Sequence, residues 1–377
     1  MRIHNLKVFG SDFKFHDGEI CTAGERLSAV SVDNEVLDGQ GLYAIPGLID
    51  IHFHGANGHD FMEGTPEALS AIASYEASAG VTAICPATMT MSKEDILKAC
   101  ANGAAFKPQQ HEASLVGIYM EGPFVSPKKV GAQNPVYVHA PDLNFYKDAQ
   151  RAAQGLIKIM AIAPEEPGAM EVIAALKDEV LPSIAHTCAS YEVAREAIAK
   201  GAAHLTHLYN AMPPLHHRDP GPIAAGSDAP WCEAELICDG IHIHPAAVRA
   251  AFRLFGEERM ILISDSMMAC GLENGGYSLG GQRVTVTDRR ALLDNGTIAG
   301  SATDLFSCMR IAHQVMGLSP ETAVRAATYN PARSIGVLKD YGTLGEGKIA
   351  SFNLVDASLN LKAVILRGRV LTSLISL

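Results

Sequence analysis

Two histidines one residue apart, His52 and His54, close the apolar run 48–51 and are followed by Gly55. In a strand, side chains alternate faces, so both imidazoles would point the same way and form half a metal site. Further short apolar runs end alike. Glu121 follows the run 116–120, His186 follows 181–185, His207 follows 203–206 and Asp265 follows 260–264, while His242 follows a run at 235–241. Singly, each has an ordinary explanation: His186 and His207 as core histidines, Glu121 as a loop residue, Asp265 as a helix cap. Jointly they suit a divalent first-row ion, because imidazole plus carboxylate holds such an ion and leaves a position for water. The ion acidifies that water and polarises a carbonyl. Asp265, at the last tip, is suited to carry the proton to a leaving amine. The set fits hydrolysis of a C–N or ester bond and does not resemble a serine or cysteine nucleophile site.

This chemistry requires that the tips converge. From residue 46, apolar runs at 48–51, 81–86, 114–120, 157–163, 181–185, 203–206, 235–241 and 260–264 read as strands. Helical stretches are expected at 65–79, 92–103, 169–177, 191–200 and 245–255, the first with Pro66 and Glu67 in its opening turn and Gly80 after it. Eight such repeats over about 250 residues predict a (β/α)8 TIM barrel, an α/β fold whose active sites gather at the C-terminal ends of the strands. Long Pro-rich loops are expected at 121–139 and 208–228. Beyond the last strand come a glycine-punctuated hairpin at 275–295 and helices at 304–316 and 320–328. Residues 1–45 read as strands at 6–9, 18–20 and 27–32, and the tail as strands at 351–355 and 362–371. The tail is expected to return to the first segment. That gives a small discontinuous β-sandwich domain, 1–45 plus 345–377, with the catalytic barrel 46–344 inserted between its halves.

Composition narrows the partners. The 377 residues are 48% hydrophobic and 19% charged, with a formal net charge of −11 and no basic run. Nucleic acid is therefore not an expected partner. No apolar run is long enough for a membrane span, and the opening residues Met1-Arg2-Ile3-His4 do not read as a signal peptide. Eight scattered cysteines without a C-x-x-C pair suggest free thiols in a reducing, cytoplasmic setting.

Six segments carry a family resemblance: Pro46 to Gly55, Glu121-Gly122-Pro123-Phe124, Gly131-Ala132-Gln133-Asn134-Pro135, Thr206-His207-Leu208-Tyr209-Asn210-Ala211-Met212, Asp239-Gly240-Ile241-His242, and Gly296-Thr297-Ile298-Ala299-Gly300-Ser301. On these the chain resembles the amidohydrolase superfamily and, within it, the N-acetylglucosamine-6-phosphate deacetylase family. The resemblance implies removal of acetate from N-acetylglucosamine 6-phosphate. It implies one or two divalent ions, zinc or iron, on Glu121, His186 and His207, with His52 and His54 matching a pair that some members use for a second ion. Asp265 matches the general acid/base. Asn210 and Ala211 match residues whose backbone amides meet the sugar phosphate, Arg218 and His242 match its cationic clamp, and Ala299, Gly300 and Ser301 match a loop lining the sugar. In that family the arginine comes from a neighbouring subunit, which implies a homodimer. A planar guanidinium beside His216 and His217 suits a phosphate in its own right.

The sequence also departs from the family pattern. Gln133 stands where some members carry a histidine at the substrate carbonyl, Met267-Met268-Ala269-Cys270-Gly271 replaces an Ala- and Pro-rich turn, and Ser351 replaces an aspartate. Lys158 begins its strand, so it is not placed to bridge two ions. Deacetylation of N-acetylgalactosamine 6-phosphate is an alternative, as is hydrolysis of an unphosphorylated amide by another amidohydrolase or a catalytically silent sugar-phosphate sensor. Trp231, just before the seventh strand, is expected to serve packing.

Overall fold

The computed structural model describes residues 1–31 and 35–374 of the chain. Parallel strands follow one another as β1 (Leu48–Asp50), β2 (Val81–Ile84), β3 in two short pieces (Ser114–Leu115 and Ile118–Met120), β4 (Ile157–Ile162), β5 (Leu181–Ile184), β6 (His204–Leu205), β7 (Glu233–Ile237) and β8 (Met260–Ile263). Each pairs with the next in chain order, the first piece of β3 with β2 and the second with β4. Past the strand ends, the N–H of Asp265 donates to the carbonyl of His52 at 3.0 Å and the N–H of His54 to that of Ser266 at 2.7 Å. The tips of β8 and β1 are thus neighbours, and the parallel sheet is curled.

The strands serve two cores because a strand alternates its faces. Ile49, Ile159, Ala161, Ile237, Ile261 and Ile263 belong to one buried cluster. Their neighbours Leu48, Met160, Ile162, Leu236, Met260 and Leu262 belong to another, which includes the helices. Those helices are α1 (Pro66–Ser78), α2 (Lys93–Ala105), α3 (Leu143–Ala152), α4 (Ala169–Leu176), α5 (Tyr191–Lys200), α6 (Gly221–Asp228), α7 (Pro245–Phe255), α8 (Leu305–Gln314), α9 (Pro320–Ala327) and α10 (Tyr329–Ser334). Thr65, Ser92, Ser190 and Asp304 each cap a helix by accepting an N–H of its first turn. Each such cap is worth about 1 kcal/mol.

Several expectations are corrected. Helix α3 lies between the expected loop 121–139 and the fourth strand, where no element was anticipated, and α6 lies where a loop alone was. In α3 only Phe145, Tyr146 and Ala149 face inward, so its apolar stripe is short. Helix α6 has Gly221 and Gly226 and little intrinsic propensity. A Cβ at residue 226 would stand 2.5 Å from a Leu205 methyl, so the glycine is what lets α6 lie against β6. Strand β7 runs over Glu233–Ile237 rather than 235–241. Asp239 ends it, its Oδ1 accepting the N–H groups of Ile241 and His242. The expected hairpin is a three-stranded antiparallel sheet, Gly275–Leu279, Gln282–Thr287 and Arg290–Leu293. The tail strand expected at 362–371 is a hairpin, Leu361–Leu366 and Arg369–Ser373, turning at Arg367 and Gly368, whose φ values are 47° and 76°.

Both ends of the chain enter one eight-stranded sheet. Its order is Arg369–Ser373, Leu361–Leu366, Phe352–Val355, Tyr43–Pro46, Arg2–Phe9, Phe15–Ala23 and Arg26–Ser28, with Val36–Asp38 also paired to Arg2–Phe9. The strand expected at 27–32 is short, and Val32 lies outside the described residues. Ile3, Leu6, Ile20, Phe352, Leu354 and Ile365 form part of this sheet's own core. Among the described residues, no helix is long and apolar enough to cross a membrane.

Candidate metal centre and pocket

The strand tips deliver their side chains to one place. His52 and His54 follow β1, Glu121 follows β3, His186 follows β5, His207 follows β6 and Asp265 follows β8, and all six are buried. His186, His207 and Asp265 hold φ values of 43°, 29° and 47°, a left-handed conformation that costs side-chain-bearing residues on the order of 1–3 kcal/mol and gathers at functional sites. After Glu121, Gly122 has a φ of 73°, and a Cβ there would stand 2.0 Å from Thr90 Oγ1. Only glycine fits beneath the Glu121 tip.

Glu121 is the centre of the array. Its Oε1 lies 3.0 Å from His186 Nε2 and 3.2 Å from His207 Nε2, and those two nitrogens are 3.1 Å apart. Four-coordinate zinc ligands, about 2.0–2.1 Å from the ion, stand roughly 3.3 Å from each other, so this trio has the spacing of a ligand set. The other oxygen, Oε2, lies 3.0 Å from His54 Nε2 and 3.5 Å from His52 Nε2. Asp265 Oδ1 is 3.3 Å from His54 Nε2 and 4.0 Å from His52 Nε2. Two donor groups thus share one carboxylate: Glu121 with His186 and His207, and His52 and His54 with Asp265.

Electrostatics support a cation here. Burial opposes charge on Glu121, but His52 and the imidazoles bonded to it hold its carboxyl well below the usual range. Burial likewise opposes charge on Asp265, but the His54 and His52 imidazoles override it and hold its carboxyl below the usual range. Burial would lower His54, yet the Asp265 and Glu121 carboxylates push it up to about 10. Buried carboxylates in excess draw positive charge onto the imidazoles, charge that a divalent ion supplies in place of protons. His52 Nε2 is buried without a hydrogen-bond partner and faces the array, as a ligating nitrogen would. The residues fit a divalent metal.

A cavity of about 250 Å³ opens over these groups, lined also by Gln133, Asn210, Ala211, His242, Ile298 and Gly300. Ala299 and Ser301 are buried behind the lining, where the Ser301 N–H donates to the Asp265 carbonyl at 2.7 Å. Gln133 does not reach into open space. Its Nε2 donates to Glu121 Oε2 at 2.8 Å and its Oε1 accepts the Thr90 N–H at 2.6 Å. The Asn210 N–H, expected to meet a phosphate, donates instead to the His207 carbonyl at 2.9 Å. His242 Nδ1 lies 2.7 Å from Asp239 Oδ2. Burial opposes its charge, but Asp239 prevails and the His242 pKa rises above its ordinary value. Arg218 is exposed in the loop before α6, beside His217, and does not line this cavity. Trp231, expected to pack, is 63% exposed.

Two residues that contact these side chains were not anticipated. Glu235 lies in β7, wholly buried, with Oε2 2.9 Å from His52 Nδ1. Its signal was an acid within the apolar run Ala234-Glu235-Leu236-Ile237. Asp239, 2.7 Å from His242 Nδ1, sits in the motif Asp239-Gly240-Ile241-His242, of which only the histidine was a candidate site residue. A Gly-x-Ser-x-Gly spacing, Gly276 to Gly280, runs along an antiparallel strand with Ser278 exposed, so it forms no nucleophile elbow.

The sequence profile described as "Amidohydrolase family" matches residues 43–371. The N-acetylglucosamine-6-phosphate deacetylase of Bacillus subtilis (strain 168) is 37% identical over 360 residues, 94% of this chain and 91% of that protein. The N-acetylgalactosamine-6-phosphate deacetylase of Escherichia coli O157:H7 is 32% identical over 333 residues, 86% of each. The crystal structure of N-acetyl-D-glucosamine-6-phosphate deacetylase from Mycobacterium smegmatis superposes with a TM-score of 0.90 at 30% identity, covering 99% of this chain and 100% of that one.

Proposed function

This chain belongs to the amidohydrolase family, and we propose that it removes acetate from N-acetylglucosamine 6-phosphate to leave glucosamine 6-phosphate. The observation that carries the reading is the shared carboxylate: Glu121 faces His186 and His207 with one oxygen and His52 and His54 with the other, and Asp265 lies at the cavity side of the latter pair. A divalent ion bound there, zinc or iron in one or two equivalents, supplies an acidified water and a Lewis acid for the acetamide carbonyl. Asp265, ionised, takes a proton from the attacking water and delivers it to the sugar nitrogen. The new C–O bond goes to acetate, the C–N bond breaks and the amine leaves protonated. His186 is held for its role by Nδ1, 3.0 Å from the Lys129 carbonyl.

The phosphate end rests on His242, whose partner Asp239 favours the charged imidazole. No lysine or arginine lines the cavity among the described residues. A phosphate dianion calls for more charge than one imidazole, which supports an Arg218 reaching in from a second copy of the chain, hence a homodimer. Ala211, Gly300 and the loop before Ser301 are the proposed sugar contacts. We read the curled sheet as a closed (β/α)8 barrel over 46–344. The terminal sheet, with its own core, is read as a sandwich-like small domain of 1–45 and 345–377. Eight unpaired thiols, seven of them buried, accord with a cytoplasmic setting.

The test is acetate release from N-acetylglucosamine 6-phosphate, its galacto epimer and unphosphorylated N-acetylglucosamine, each with and without chelator. Chelator-sensitive turnover fastest on the first is expected. A preference for the unphosphorylated sugar would sink the proposal.

A further inference from the structure

Beneath the array lies a carboxylate that the reaction above does not use. Glu235 points to the same side of β7 as Ile237, into the cluster enclosed by the strands, and is 0% exposed. Its Oε2 lies 2.9 Å from His52 Nδ1 and accepts the backbone N–H of His207 at 3.0 Å. Its Oε1 is 3.6 Å from His204 Nδ1, and that nitrogen is 3.0 Å from Ser183 Oγ. The Tyr119 ring stacks on His52 with centroids 4.2 Å apart. A buried carboxylate is costly unless its partners need it, and here one oxygen serves both His52, at the β1 tip, and His207, at the β6 tip.

We propose that Glu235 is a positioning residue that fixes His52 as a metal ligand through Nε2 and holds the His207 backbone in its left-handed turn. By accepting from Nδ1–H it leaves Nε2 as the only nitrogen of His52 open to an ion, and it raises the basicity of that nitrogen. His54 has no such support, because its Nδ1 is buried without a hydrogen-bond partner. The two imidazoles of the pair are therefore unequal: His52 is anchored from behind by a carboxylate, whereas His54 depends on Glu121 and Asp265 in front.

The inference rests on the metal-centre reading, and its test separates the two. Metal-stripped protein is titrated with zinc against a chromophoric chelator, comparing the native chain with Glu235→Gln and Glu235→Asp. Glu235→Gln is expected to weaken zinc binding about 10–100-fold, and Glu235→Asp, which keeps the carboxylate, to recover part of the loss. Zinc bound by Glu235→Gln as tightly as by the native chain overturns the role of Glu235. No zinc bound by the native chain overturns the metal centre itself. Should Glu235→Gln fail to fold, nitrogen-15 NMR of the zinc-loaded native protein decides, with signals located by loss in His52→Asn. A protonated Nδ1 and a metal-bound Nε2 on His52 are expected, and metal on Nδ1 overturns the proposal.

Discussion

The backbone N–H of Asp265 donates to the carbonyl of His52 at 3.0 Å. This bond links the residues just past the last parallel strand to those just past the first, and the Asp265 carboxylate stands 3.3 Å from the His54 imidazole. A backbone hydrogen bond thus ties the proposed base to the proposed ligands. Asp265→Asn keeps this backbone bond and the side-chain shape while removing the base. Turnover is expected to fall about 10³-fold or more with substrate affinity within a few-fold, measured by acetate release and by calorimetric binding. Near-native turnover would remove Asp265 from its role.

Stripping the ion is expected to abolish acetate release without unfolding the chain, since three extensive apolar clusters hold the fold independently of any ion. Activity should return on titration with zinc or ferrous iron, and elemental analysis should give one or two equivalents per chain. Full activity in the stripped protein, at less than a tenth of an equivalent by the same analysis, would exclude the mechanism.

Arg218 lies outside the cavity of its own chain. Arg218→Ala should raise KM for the phosphorylated sugar by about 10-fold or more, as expected for a lost charge-assisted contact, and leave the unphosphorylated sugar unaffected. Mixing Arg218→Ala with Asp265→Asn subunits tests the route. A hybrid dimer regains one complete site only if the arginine crosses between copies. No recovery in a verified hybrid would place the phosphate contact elsewhere.

Gln133 spends both ends of its amide on Glu121 and Thr90. Gln133→Ala should lower kcat/KM by about 10–100-fold through the carboxylate it steadies. Gln133→His, which keeps a donor, should lose less. A Gln133→Ala enzyme within two-fold of native would show that Glu121 holds its orientation unaided.

Glu76 of α1 is buried, and neither of its oxygens has a hydrogen-bond partner. Burial, and then the charges of Asp50 and Asp304, raise its pKa well above the ordinary value, so the folded state keeps it protonated. Unfolding lets it ionise above about pH 4.3, so stability is greatest below that pH and declines as pH rises towards the folded pKa. Glu76→Gln should therefore raise the Tm more at about pH 8 than at about pH 5, as read by scanning calorimetry. An equal change at both would mean that Glu76 is already ionised in the fold.

Much of this architecture was legible because the strands are short, apolar and punctuated, and because six of the eight tips are followed by a histidine or carboxylate. Helices α5 and α7 matched their expected bounds, fixed by Ser190 before the first and by Pro245 and Gly256 around the second. Helix α6 was hidden because its stability comes from contact with β6 at Gly226 rather than from its own residues. Glu235 was hidden because it sits inside a strand, below the tips where the other candidates stand, and an acid there has no spacing that marks it. The commitments of Gln133 and of the Asn210 amide depend on which groups the loops bring near, and motif identity carries no trace of that.

The strand Phe352–Val355 lies antiparallel to Tyr43–Pro46, which leads directly into β1, and the Gly47 N–H is fastened to the Ser351 carbonyl at 3.0 Å. Synthesis runs from N- to C-terminus, so the partner that roots β1 emerges from the ribosome after all eight parallel strands. The parallel strands can assemble while translation continues, but the footing beneath His52 and His54 waits for Phe352–Val355, so the first strand to be made is among the later ones to be seated.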